Sequence, residues 1–180
     1  MSVLRASRGL YPTLKEAPKD AVTPSHALCL RAGLMRQVGA GLYELLPLGV
    51  RVLRRIERIV RNAMDEAGCQ EVLLPALLPA DYYKATGRYD TFGDVLLRLK
   101  DRKDADLVLG PTHEEIITDL AKRELKSYRS LPRILYQIQT KFRDEPRPRA
   151  GLLRCREFTM KDAYSFDVDM DAAQVSYEGM

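Results

Sequence analysis

Two alternating stretches on either side of an arginine-rich loop constrain this chain most. Ile134, Tyr136, Ile138 and Phe142 recur at period two, the signature of a half-buried strand. The other face carries Gln137, Gln139, Lys141, Arg143 and Glu145. Being two apart, Arg143 and Glu145 project from the same side of the sheet. From Pro146 to Cys155 the chain holds Arg147, Arg149 and Arg154 among two prolines and a glycine. The prolines stiffen the turn, and the guanidinium groups suit a polyanion. Beyond it, Arg156, Phe158, Met160, Asp162, Tyr164 and Phe166 fall on one face of a second strand. A lone arginine run is most simply a solvated hairpin tip; this one is ordered, with an Arg and a Glu on one strand face before the loop and Glu157 and Phe158 after it.

Other segments are read in chain order. Met1 to Val22, broken by prolines, is an irregular arm with no continuous apolar core that would mark a secretory signal. Ser25 is predicted to cap a helix through about Gln37, weakened and ended by Gly33, Gly39 and Gly41, with Leu42 to Leu46 extended. Pro47 to Gly68 is the clearest helix, with an apolar stripe of Val52, Ile56, Ile59, Val60, Ala63 and Ala67, a solvated arginine face and Gly68 as its stop. Cys69 to Leu74 reads as a strand closed by Pro75. Ala80 to Thr86 is a short helix ended by Gly87. Val95 to Lys100 and Leu107 to Leu109 form a hairpin across the turn DRKD. Thr112 with Glu115 makes a capping box for a following helix, and Glu114 suits its first turn.

The chemistry that other patterns would bring is excluded or outweighed. Cys29, Cys69 and Cys155 are far apart and odd in number, which points to a reducing compartment, the cytoplasm, and away from zinc. His26 and His113 have no second ligand at metal spacing, and neither is assigned a catalytic part. Asp167, Asp169, Asp171 and Glu178 match four positions of a calcium loop, but Ala172 stands where its glycine belongs and a strand precedes it; an Asp-capped helix from about Met170 is the better reading. No P-loop occurs, and no stretch approaches the roughly 20 apolar residues of a membrane span. The net charge of +4 is compatible with nucleotide or RNA without being diagnostic.

Phe142, Arg143 and Glu145, followed by Arg154 and Phe158, resemble motif 2 of the class II aminoacyl-tRNA synthetases, F-R-x-E then R-x-x-x-F. The wording KFRDE through REFTMKDAYSF resembles the bacterial-type prolyl-tRNA synthetases. Residues 47–75 are similar to motif 1, and Gly110 to Glu114 to that family's T-x-E loop at 112–114. The resemblance implies an α+β fold, an antiparallel sheet flanked by helices, and ATP-dependent attachment of proline to proline tRNA through prolyl adenylate. It implies that Thr112 and Glu114 hold the proline amine. Arg143 would bridge the proline carboxylate and the α-phosphate. Glu145 would orient the nucleotide with Mg²⁺, Arg154 would reach the outer phosphates, and Phe158 would lie against adenine. It also implies a homodimer through motif 1.

The glycine-rich third motif, the editing insertion and the anticodon-binding domain of the family find no match between Met1 and Met180. The 180 residues are therefore expected to be the N-terminal part of a catalytic domain, inactive alone. A non-catalytic dimerisation or ligand-binding module remains open, as does a threonyl, seryl or glycyl ligase; the Thr112/Glu114 pair favours proline.

Overall fold

The computed structural model describes residues 5–180, which form two compact units. The arm's first four residues, and with them part of the segment read for a secretory signal, lie outside the described residues.

One unit comprises the described residues up to Arg58 with Glu145–Phe158. Helix α1 (Pro24–Arg31) follows Thr23, with Pro24 in its first turn supplying a preset φ. It is shorter than the spacing predicts, and Thr23, not Ser25, is the cap position. Residues expected to continue the helix instead form strand β1 (Met35–Gly39), paired antiparallel with β2 (Leu42–Leu45). The cause is Gly33. Its φ is +66°, and a Cβ there would sit 2.8 Å from the Pro12 carbonyl, so the chain reverses where only glycine fits. Arg36 fastens the arm by donating to the carbonyls of Pro12, Leu30 and Met35.

Helix α2 (Pro47–Glu66) matches its prediction, and Gly68, at φ +76°, ends it. Its stripe does not behave as one buried seam. Val60 packs inward, whereas Val52, Ile56 and Ile59 are 49%, 53% and 61% exposed.

The other unit comprises Ile59–Asp144 with Thr159–Met180 and holds both hydrophobic clusters. Its first sheet has the order β3 (Gln70–Glu71), β7 (Arg133–Phe142), β8 (Glu157–Phe166). Strand β3 pairs parallel with β7, so this sheet departs from the antiparallel arrangement expected; a parallel neighbour requires a long crossover, here residues 72–132. The predicted strand from Cys69 to Leu74 is cut short because side chains take over its ladder. Gln137 Oε1 accepts from Leu74 N–H at 3.3 Å, and Gln139 Nε2 donates to the Leu74 carbonyl at 2.6 Å. Met64, Cys69 and Tyr136 form the core here, with Val60, Ile134, Ile138 and Ala163 against them. The Tyr136 hydroxyl donates to Asp65 at 2.9 Å; burial and that bond push its pKa up to about 12.

The second sheet has the order β4 (Leu77–Pro79), β6 (Asp106–Leu109), β5 (Arg98–Lys100), all antiparallel. The β5–β6 hairpin was legible in sequence. Strand β4 was not, since Pro79 argues against a strand unless it lies at an edge, as here. Leu78, Ala80, Tyr83, Leu96 and Val108 form the core beneath α3 (Asp81–Ala85) and α4 (Arg88–Thr91). Helix α6 (Met170–Glu178) is capped as expected: Asp169 accepts from Ala172 N–H at 2.9 Å, and Asp167 accepts from Ser176 Oγ at 2.6 Å. The whole is α+β, with mixed and antiparallel sheets flanked by helices.

Candidate functional site

In the second unit, the segment from Gly110 to His113 leads from β6 into helix α5 (Glu114–Glu124) and is held at successive carbonyls. Phe142 N–H donates to Gly110 O at 3.1 Å. The Arg143 guanidinium donates to Pro111 O, 3.2 Å from Nη2 and 3.4 Å from Nε. The Tyr83 hydroxyl donates to Thr112 O at 2.6 Å, and Ile117 N–H to His113 O at 2.9 Å. A loop with every carbonyl engaged holds its side chains in fixed directions.

The predicted capping box is not formed. Position N-cap falls on His113, without a side-chain cap, because α5 starts one residue later than the box requires. Thr112 Oγ1 donates instead to Glu114 Oε1 at 3.3 Å. Glu115 is drawn inward, accepting from Thr86 Oγ1 and Arg88 Nη1, each at 3.3 Å. The Thr112 hydroxyl is thus not spent on the helix.

Thr112, Glu114 and Arg143 line one open cleft of about 610 Å³. Arg88 and Asp162 add a second cation and a second anion to its wall. Phe92, Met160, Ala163 and Tyr164 supply an apolar side. Arg88 pairs with Glu114. Sequence reading passed over Arg88, although one signal was available: a cation opening a helical turn runs against the helix dipole, so a carboxylate partner must compensate.

Lys141 was also missed. It falls on the polar face of its alternating strand, yet it is fully buried. Its Nζ donates to Asp162 Oδ2 at 3.0 Å and to His113 Nδ1 at 2.6 Å. Asp162 accepts further from Gln137 Nε2 at 3.0 Å and the Tyr164 hydroxyl at 2.6 Å. Burial works to raise the Asp162 carboxyl, but these donors outweigh it and hold the pKa below the usual carboxylate value. The same burial lowers the pKa of Lys141 and of His113. The complement of Lys141 on one strand with Asp162 on the next was the signal in the sequence.

Glu145, Arg154 and Phe158 belong to the first unit. Arg154 donates to Glu145 Oε2 from Nε at 2.8 Å, with Nη2 2.6 Å away, so the two are paired across the arginine loop. Phe158 is half-buried. The loop is pinned from within this unit. A Cβ on Gly151 would meet the buried His26 ring at 2.9 Å, and Arg156 N–H donates to Gly41 O at 2.9 Å.

Residues 97–180 match the sequence profile of the class II tRNA synthetase core domain for G, H, P, S and T. The proline--tRNA ligase of Anaeromyxobacter sp. (strain Fw109-5) is 60% identical over 178 residues, covering 99% of this chain and 31% of that protein. That of Thermoanaerobacter sp. (strain X514) is 59% identical over 177 residues, covering 98% of the chain and 31% of the relative. Over nearly its whole length the chain matches class II prolyl-tRNA synthetases. It spans about a third of the length of these curated relatives. The family's fold is present too: Giardia lamblia prolyl-tRNA synthetase, solved in complex with prolyl-adenylate, superposes with a TM-score of 0.74 at 22% identity, over 81% of this chain and 31% of that one.

Among the described residues, no group of three or more His, Cys, Asp and Glu side chains is placed to hold a metal. Glu145 offers one carboxylate, whose Oε2 is held by Arg154 here; Mg²⁺ is commonly bound by one or two carboxylates together with substrate phosphates. No helix among the described residues is long and apolar enough to cross a membrane.

Proposed function

We propose that this chain supplies the proline-binding side of a prolyl adenylate-forming site, and that the protein carrying it attaches proline to proline tRNA. One observation carries this reading. A cleft presents two guanidinium groups, two carboxylates and the Thr112 hydroxyl beside an apolar wall. A zwitterion with a small apolar side chain complements it at both charges. Residues 47–75 serve as motif 1, 112–114 as the amine-binding loop and 141–166 as motif 2.

In the first step a proline carboxylate oxygen attacks the α-phosphorus of ATP. The bond to the β-phosphate bridge oxygen breaks, and pyrophosphate leaves. In the second, a hydroxyl of the terminal tRNA ribose attacks the prolyl carbonyl and AMP leaves. The substrate is its own nucleophile, so the protein's part is positioning and charge stabilisation. Arg143, a planar and always charged fork, bridges carboxylate and α-phosphate. Thr112 and Glu114 take the secondary amine, with Glu114 shared between it and Arg88. Arg154 turns from Glu145 to the outer phosphates. Glu145 then orients the nucleotide and would hold Mg²⁺, whose charge offsets that of the phosphates. Phe158 offers adenine an aromatic face. Three free cysteines suit a reducing cytoplasm.

Glu114→Ala is expected to raise the KM for proline roughly 10- to 100-fold, the worth of a hydrogen bond to a charged group, with the KM for ATP little changed. Its loss of stability should stay within about 1 kcal/mol, because the Arg88–Glu114 pair is substantially exposed. Steady-state kinetics with a urea unfolding curve check both; an unchanged proline KM would leave Glu114 a structural residue.

The exposed stripe of α2 supports a homodimer through motif 1, since Val52, Ile56 and Ile59 recur at helical spacing and remain open to water. Ile56→Glu is expected to shift sedimentation from dimer to monomer with the circular dichroism spectrum intact. A variant that sediments as the parent does would place the interface elsewhere.

A further inference from the structure

Lys141 and His113 are both fully buried, and neither lines the cleft. The carbonyl of Pro75 can only accept, so the 2.9 Å contact from His113 Nε2 fixes a proton on that nitrogen. Nδ1 is then left as an acceptor, and Lys141 Nζ donates to it at 2.6 Å. A doubly protonated ring would set N–H against ammonium, and burial indeed disfavours that form. Asp162 holds the ammonium from the other side, with Oδ1 2.9 Å away. The imidazole is therefore clamped at both nitrogens, between Lys141 of β7 and the carbonyl of Pro75. Space around it is close: a Cβ on Gly110 would meet His113 Cε1 at 3.2 Å. His113 lies between Thr112 and Glu114, so the ring's position sets the direction in which both side chains leave the loop.

We propose that Lys141 is a positioning residue for the proline site, locking the Thr112–Glu114 loop through His113 without touching substrate. The pattern has an alternative in simple core filling, but an apolar side chain would fill that volume without the desolvation that a buried ammonium requires. What an ammonium adds is a directed bond to one imidazole nitrogen. The proposal rests on the reading of Thr112 and Glu114 as the amine-binding pair.

The test uses the whole protein that carries this chain, with Lys141→Met and His113→Gln. The methionine keeps length and bulk but donates nothing to Nδ1. The glutamine retains a donor toward Pro75 and loses the ring acceptor. Hydrogen exchange read by mass spectrometry should show peptides covering residues 110–118 exchanging at least about tenfold faster, with β4–β6 peptides unchanged. Proline KM should rise roughly ten- to a hundredfold while ATP KM stays within about twofold. If Lys141→Met fails to fold, His113→Gln carries both readouts. Unchanged protection of the loop, equal rises in the two KM values, or loss of protection across the whole sheet in both variants would overturn the proposal. A parent protein without proline-dependent activity would defeat the functional reading instead, and hydrogen exchange would still decide whether Lys141 holds the loop.

Discussion

Arg143→Ala is expected to lower proline-dependent exchange of pyrophosphate into ATP by at least about 10²–10³-fold, the cost of removing one preorganised donor from a developing anion. Arg143 follows the end of β7 and already reaches the Pro111 carbonyl, so its guanidinium is aimed along the loop that carries Thr112. Lysine should not rescue it, because a point charge does not fork between a carboxylate and a phosphate. Arg154→Ala should cost less, since outer phosphates keep their hydration and any bound Mg²⁺. An Arg143→Ala protein with near-parental exchange would mean that the phosphate site lies elsewhere.

Asp162→Ala is expected to produce the largest loss of stability in the chain, about 3–5 kcal/mol, because it strands the buried Lys141 ammonium. Gln137 and Tyr164 lose their acceptor at the same time. Combining it with Lys141→Met should recover part of the loss, since no lone buried charge then remains. Urea unfolding of the parent, both single variants and the double variant reads this coupling; strict additivity would show that the two residues do not act as a pair. The pH dependence has a definite sign. The folded pKa of Asp162 is depressed, so its contribution is complete above the unfolded value of about 3.9 and is lost as pH falls through the lower folded value. Asp162→Asn should remove that acid-side loss.

Local signals in the sequence located several of the elements that carry the candidate site. Period-two alternation located β7 and β8, and the arginine-rich run marked the loop between them; Arg143 and Glu145, expected on one strand face, lie beyond the end of β7 at Phe142. Gly68 and Gly87 ended helices where they stand, both at positive φ. Failures came where partners distant in sequence decide. The segment from Met35 to Gly39 has a composition that either helix or strand accepts, and the reversal at Gly33 selected the strand. Thr112 and Glu115 satisfied a capping pattern, but Arg88 and Thr86 took Glu115 into the interior. Lys141 was passed over because alternation says which face a residue occupies, not what covers it; His113 and Asp162 bond to it here. The apolar stripe of α2 was correct in spacing, while among the described residues nothing covers Val52, Ile56 and Ile59.

Pyrophosphate exchange with the protein that carries this chain, supplied in turn with proline, threonine, serine and glycine, tests the assignment most directly. Proline alone should support exchange well above the amino-acid-free background, because on the proposed reading Thr112 and Glu114 hold its amine and the wall of Phe92, Met160, Ala163 and Tyr164 takes an apolar ring. Exchange driven by threonine, serine or glycine as strongly as by proline, or none with any of the four, would contradict it.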